Sequence, residues 1–183
     1  MRRRSFLRAA AISAAVWSGL HGIAAAESAA ELDAAADAAL ERLKRSEPVT
    51  EKMIHSAKGI LIFPEIVKGG LIVGAAGGKG VLRVGGKTDG YYRSTAVSYG
   101  LQAGIERFGY VMFLMDEKSL HYLRESQGWE VGVGPTITVA DEGIARKLST
   151  TTVQDGVYVF FVGQEGFFAG AGIEGTKISR LGE

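Results

Sequence analysis

Between residues 29 and 43 the apolar positions return every three or four residues: Ala29, Leu32, Ala36, Ala39, Leu40 and Leu43 lie within one narrow helical face. The stretch SAAE, Ser28 to Glu31, is a capping box that starts this helix. Glu31, Asp33 and Asp37 come early and Arg42, Lys44 and Arg45 late, which suits the helix dipole. Ser46 and Pro48 then restart a helix that carries Met53 and Ile54 and stops at Gly59. Past Gly59 the pattern shifts to short β-branched or aromatic runs separated by turn residues, and predicts strands near 59–63, 71–75, 81–84, 94–106, 110–115, 130–139, 157–163 and 167–173. One helix interrupts them, with Asp116 capping EKSLHYLRE, and a second short one is predicted through DEGIARKL from Asp141. Few of the strands have a helical crossover between them, so antiparallel pairing is expected. The expected class is α+β: an N-terminal helical arm packed on a curved, mainly antiparallel, glycine-rich sheet of barrel-like form.

Glycine distribution sharpens that division. None occurs from Glu27 to Lys58, whereas 24 of the 26 lie from Gly59 onward. Residues 27–58 therefore read as the arm and 59–183 as the body of a single domain. The first 26 residues are a separate unit. A basic start (Arg2, Arg3, Arg4, Arg8), a short alanine-rich apolar run and an AxA site at Ala24 and Ala26 make a signal peptide. Arg3, Arg4, Ser5, Phe6, Leu7 and Arg8 follow the twin-arginine export pattern, with Arg8 in the place of its lysine. The expected location is the periplasm, with cleavage after Ala26. Loss of the four leader arginines leaves 17 basic against 20 acidic residues, a net charge of −3. A mildly acidic mature chain argues against nucleic acid as partner. With no cysteine, disulfide frameworks, zinc thiolate sites and iron–sulfur clusters are excluded.

Several motifs for chemistry come close and fail. GGKT, Gly85 to Thr88, has the end of a phosphate loop, but five residues lie between Gly80 and Gly86 where the motif allows four. GAGIEG, Gly170 to Gly175, satisfies GxGxxG, yet eight residues remain after it, too few for the helix and strand of a dinucleotide unit. AVSYG puts Ser98 one substitution from a nucleophile elbow, with His121 and Asp116 as conceivable partners, but Ser98 lies in an alternating strand pattern. His55 and His121 lack metal-ligand spacing. These readings favour a non-enzymatic protein without a cofactor.

The remaining signal is the set of lysines beside glycines. Lys68 adjoins Gly69 and Gly70, Lys79 sits between Gly78 and Gly80, and Lys87 follows Gly86. Bare backbone of this kind can aim N–H groups at an anion while lysine supplies charge, and a phosphate or lipid head group is the matching ligand. The alternative is purely structural: glycines at bends of a crowded sheet and lysines guarding its exposed edges. Local chemistry alone favours the second. The alanine-rich face of the first helix likewise suits packing on the sheet better than lying on a membrane, where large apolar side chains are needed.

Four ordered blocks carry a resemblance: FPxxxKGG (Phe63, Pro64, Lys68, Gly69, Gly70), the glycine run through Gly77, Gly78 and Gly80, SxGxQxG (Ser98, Gly100, Gln102, Gly104), and GxFxGxxxEG (Gly166, Phe168, Gly170, Glu174, Gly175). Together they resemble the SYLF family of lipid-binding domains, also described as resembling a yeast actin-bundling regulator. The resemblance implies binding of phosphoinositide or acidic phospholipid through basic residues and an amphipathic N-terminal helix. The family's aromatic-proline segment before SxGxQxG is replaced here by GYYRST, Gly90 to Thr95. Export would take cytoplasmic phosphoinositides and actin out of reach. What the resemblance leaves is peripheral recognition of an anionic phospholipid head group at an envelope membrane. The candidate contacts are Lys68, Gly69, Gly70, Gly78, Lys79, Gly80, Arg83, Lys87 and Arg93. The other expectation is a scaffold that binds an envelope protein partner and no lipid.

Overall fold

The computed structural model describes residues 28–70, 73–99, 104–126, 128–131, 133–140, 156–165 and 175–182. Its first element is helix α1 (Ala29–Ser46), opened by the expected capping box. The Ser28 hydroxyl accepts the Glu31 N–H at 3.2 Å, and the Glu31 carboxylate accepts the Ser28 N–H at 2.8 Å. Leu32, Ala36, Ala39 and Leu43 are buried, so the small side chains of the apolar stripe bring the helix close to the sheet beneath it. Helix α2 (Val49–Ser56) follows and buries Thr50 and Met53.

The body is one curled, half-barrel sheet of eight strands, mainly antiparallel, as the sequence led us to expect. Its strands are β1 (Gly59–Gly70), β2 (Val73–Val84), β3 (Lys87–Tyr99), β4 (Gly104–Leu114), β5 (Trp129–Glu130), β6 (Ile137–Val139), β7 (Val157–Glu165) and β8 (Thr176–Arg180), with helix α3 (Glu117–Glu125) after β4. They lie in the order β5-β8-β3-β2-β1-β4-β7-β6, and only β6 and β7 run parallel. Apolar side chains fill both faces. On one, Leu61, Phe63, Leu82, Tyr110 and Met112 pack with Leu120 and Leu123 of α3 and with Trp129. On the other, Ile62, Val81, Val111, Phe113 and Phe160 pack under α1 and α2.

Strand boundaries differ from expectation where glycine and proline were read as breaks. β1 continues through Pro64 because the chain bulges there: Phe63 pairs with Tyr110 and Ile66 with Phe108, so Pro64 and Glu65 together face Gly109. A proline has no N–H to place in a ladder, and a bulge removes the need for one. β2 likewise runs unbroken through GAAGGKG. The real interruption is at Gly85 and Gly86, whose φ of 58° and 79° make a two-residue hairpin turn of the I′ kind. The segment expected as one strand over 94–106 holds the end of β3 and the start of β4. The strand expected over 167–173 and the helix from Asp141 lie outside the described residues.

Asp116 does more than cap α3. Its carboxylate accepts the Ser119 N–H at 2.7 Å and the Gly156 N–H at 2.6 Å, tying the helix start to the entry of β7. Burial opposes its ionisation, but the hydrogen bonds from Gly156 and Ser119 outweigh that and hold the carboxyl below its ordinary range. A depressed folded-state pKa contributes stability above the unfolded value and loses it as pH falls through the folded one. Asp116→Ala is expected to cost about 2 kcal/mol at neutral pH, a lost cap plus an orphaned N–H. Urea denaturation at neutral and acidic pH checks this: the gap between the two proteins should narrow in acid.

Candidate functional site

Strand alternation decides which candidate residues can act together, because successive side chains point to opposite faces. Ile66 belongs to the α3-side core, so Lys68, two residues on, shares that face. Its ammonium lies 3.6 Å from Glu106 Oε2 on β4, directly opposite in register. Val81 belongs to the α1-side core, so Lys79 and Arg83 take the α1 side. Arg93 joins them, being the register partner of Lys79 across the β2–β3 ladder. Lys68 and Lys79 therefore stand on opposite faces, and the nine candidates do not form one pocket.

Each of the others has a distinct place. Arg83 is committed to α1: its guanidinium reaches Asp37 Oδ1 at 2.7 Å and Asp33 Oδ1 at 3.2 Å. Lys87 follows the Gly85–Gly86 turn, at the far end of β2 from the β1–β2 connection. Gly69 and Gly70 sit in β1 with a neighbouring strand on each side, pairing with Ala75 and Gly74 of β2 and with Ile105 and Gly104 of β4. Their amides belong to ladders, and the anion cradle anticipated from them is not formed. Gly78 and Gly80 serve close approach instead. A Cβ on Gly78 would lie 2.2 Å from the Glu65 carbonyl oxygen, and one on Gly80 would lie 2.6 Å from that of Ile62. From the β4 side, a Cβ on Gly109 would meet the Pro64 carbonyl oxygen at 2.6 Å. Gly78, Gly80 and Gly109 thus make room for the β1 backbone at and beside its bulge, which is the physical reason for these three glycines.

What remains is a small constellation on the α1 side of the sheet, beyond the reach of the helix. Near the end of the sheet one row runs Ile105, Gly69, Ala75, Val97 across β4, β1, β2 and β3, as the registers place them side by side, and the Val73–Tyr99 pair of β2 and β3 lies one rung beyond it. Ile105 is 73% and Val97 61% exposed, unusual values for branched apolar residues in a sheet. The next row inward is Arg107, Val67, Gly77, Thr95 and Lys177, with cations at both ends. Arg107 is paired with Glu65 at 3.0 Å, and Lys177 faces Glu130 in register. Lys79 and Arg93 then stand side by side one rung further in. Ile105, Val97 and Lys177 were not anticipated as site residues. The signal that could have found them is hairpin register, which places residues far apart in sequence on one row.

Asp116 is engaged as the α3 cap, and His121 is exposed on that same helix. The backbone of Ser98 pairs within the β2–β3 ladder opposite Gly74.

The SxGxQxG and GxFxGxxxEG blocks fall inside residues 95–182, which match the family model for Ysc84, described as a Las17-binding protein actin regulator. Residues 95–182 therefore carry a match to the Ysc84, or SYLF, domain, the family that the sequence blocks resemble. A search of curated proteins finds no match to the chain. In the sheet the matched segment supplies both outer parts, β5 and β8 with the last residues of β3 on one side and β4, β7 and β6 on the other. β2 and β1, which precede the match, join these parts through the centre. The half-barrel is continuous only with these N-terminal strands in place.

Proposed function

We propose that this protein is exported by the signal in residues 1–26 and binds anionic phospholipid at the surface of an envelope membrane, without catalysis. The single observation that carries the reading is the cross-strand pair of Lys79 and Arg93, two cations side by side on an open sheet face. Neither forms an ion pair among the described residues, in contrast to Arg83, Arg107 and Arg124. In a chain whose mature charge is net negative, unneutralised cations gathered at one place focus a local positive field. Among the described residues no helix is long and apolar enough to cross a membrane, and the proposed association is peripheral. The family name's reference to an actin regulator points to protein binding as the second reading.

Co-sedimentation of the chain from Glu27 onward with phosphatidylglycerol-containing and pure phosphatidylcholine vesicles tests this. A basic residue near an anionic surface contributes about 1 kcal/mol, so Lys79→Ala with Arg93→Ala should weaken anionic-vesicle partition about thirtyfold. Lys68→Ala, on the opposite face, should leave it unchanged. Equal pelleting with both vesicle types, or indifference to the double substitution, would remove the head-group reading.

A further inference from the structure

We infer that the protein meets the bilayer with the end of its sheet, inserting the outer apolar row while α1 remains docked. The inference rests on the anionic-membrane reading above and specifies how that site is used. The exposed row of Ile105, Ala75 and Val97 lies close to the end of the α1-side face, with the apolar Val73–Tyr99 pair one rung beyond it, and Lys79 with Arg93 lies two rungs behind it. Residues along a strand rise about 3.3 Å each and two same-face rungs are four residues, so the cations sit roughly 13 Å behind the row, within reach of head groups on long side chains. Apolar residues leading and cations trailing match the order of a leaflet, acyl chains inside and phosphates outside.

The alternative inserting element is α1, and its packing argues against it. Leu32, Ala36, Ala39 and Leu43 are already buried against the sheet. Its outward positions carry Glu31, Asp37 and Glu41, the cations Arg42 and Arg45, and the small side chains of Ala34 and Ala38. That mixed face offers none of the large apolar side chains with which a helix enters a bilayer.

The chain has no native cysteine, so single reporters are unambiguous. An environment-sensitive dye is placed at Ile105→Cys in one protein and Ala38→Cys in another, each in the chain from Glu27 onward, which carries every element described above. With phosphatidylglycerol vesicles, the dye at 105 should shift to the blue and be quenched by acyl-chain quenchers, and the dye at 38 should not change. Unlabelled Val97→Asp with Ile105→Asp, both at exposed positions, should keep its thermal transition and lose tenfold or more in vesicle partition. Vesicle binding with a change at 38 and none at 105 would overturn the inference and leave the anionic-membrane reading intact. Absence of binding to any vesicle would remove both. A blue shift at 105 that grows with protein concentration alone would assign the row to self-association and overturn the inference.

Discussion

Gly78→Ala will prevent most of the protein from reaching its native fold, while Gly77→Ala, one residue away, will be tolerated. A methyl on Gly78 would lie 2.2 Å from the Glu65 carbonyl oxygen and 2.8 Å from Ile66 Cδ1. The first obstacle is backbone in the middle of the sheet, held on its other side by Gly109 of β4. Relief requires moving the bulge, and with it the change of register that sends Ile66 into the core. We expect a loss of about 4 kcal/mol or more, a large part of the 5–15 kcal/mol that holds a domain together. Gly77 faces the open side of the sheet, where its methyl would meet only the Ser94 carbonyl oxygen at 3.4 Å, an ordinary contact. Restricting the unfolded chain should then make Gly77→Ala neutral or stabilising by about 0.5 kcal/mol. Soluble yield and thermal denaturation of the two proteins provide the test, and equal behaviour would show that the bulge adapts.

The same pair of glycines shows what could be read in advance. Helix ends were legible because they are local: Ser28 with Glu31, and Asp116 with Ser119, are three residues apart and need no partner strand. The class and the antiparallel pairing followed from the change of hydrophobic period at Gly59. Register was not legible, because it depends on how many residues each hairpin spends in its connection. Gly70 pairs with Gly74, which places Lys68 opposite Ala76 and on the face away from Lys79. A one-residue slip would have set Lys68 opposite Gly77 and put both lysines on one surface. The glycine cluster was ambiguous for a related reason. Bare backbone that faces an anion and bare backbone that faces another strand use the same residue, and only the position of the Pro64–Glu65 bulge separates them. Val97 and Ile105 were invisible as a unit because eight residues of sequence separate them, while the fold sets them on one row across the sheet.

Arg83→Asp is expected to release α1 from the sheet. In the native protein Arg83, only 15% exposed in its side chain, answers both Asp33 and Asp37. Thr88 and Tyr91 add hydrogen bonds to the two oxygens of Asp33, at 2.9 Å each, so the β2–β3 hairpin grips the helix through one polar cluster. The bond to Asp33, with burial second, also holds the Tyr91 hydroxyl above its ordinary range. An aspartate at 83 would gather three carboxylates with no cation among them. Removing one partner of a buried pair costs 3–5 kcal/mol, and the exposure of Asp37 places this case near 3 kcal/mol. For a chain of this length that is a fall of about 6–12 °C in Tm. Hydrogen exchange should report the loss first in α1, and Arg83→Asp with Asp37→Arg should recover much of it by restoring one opposite-sign contact. If α1 keeps its protection in the single variant, its apolar stripe alone holds it down. The outcome bears on membrane binding, because lifting α1 would uncover Ile62, Val111 and Phe113 as well as its own leucines. If the protein meets a bilayer by its sheet end, as proposed above, that core stays closed, and the Arg83 cluster joins the buried stripe of α1 in keeping the helix in place.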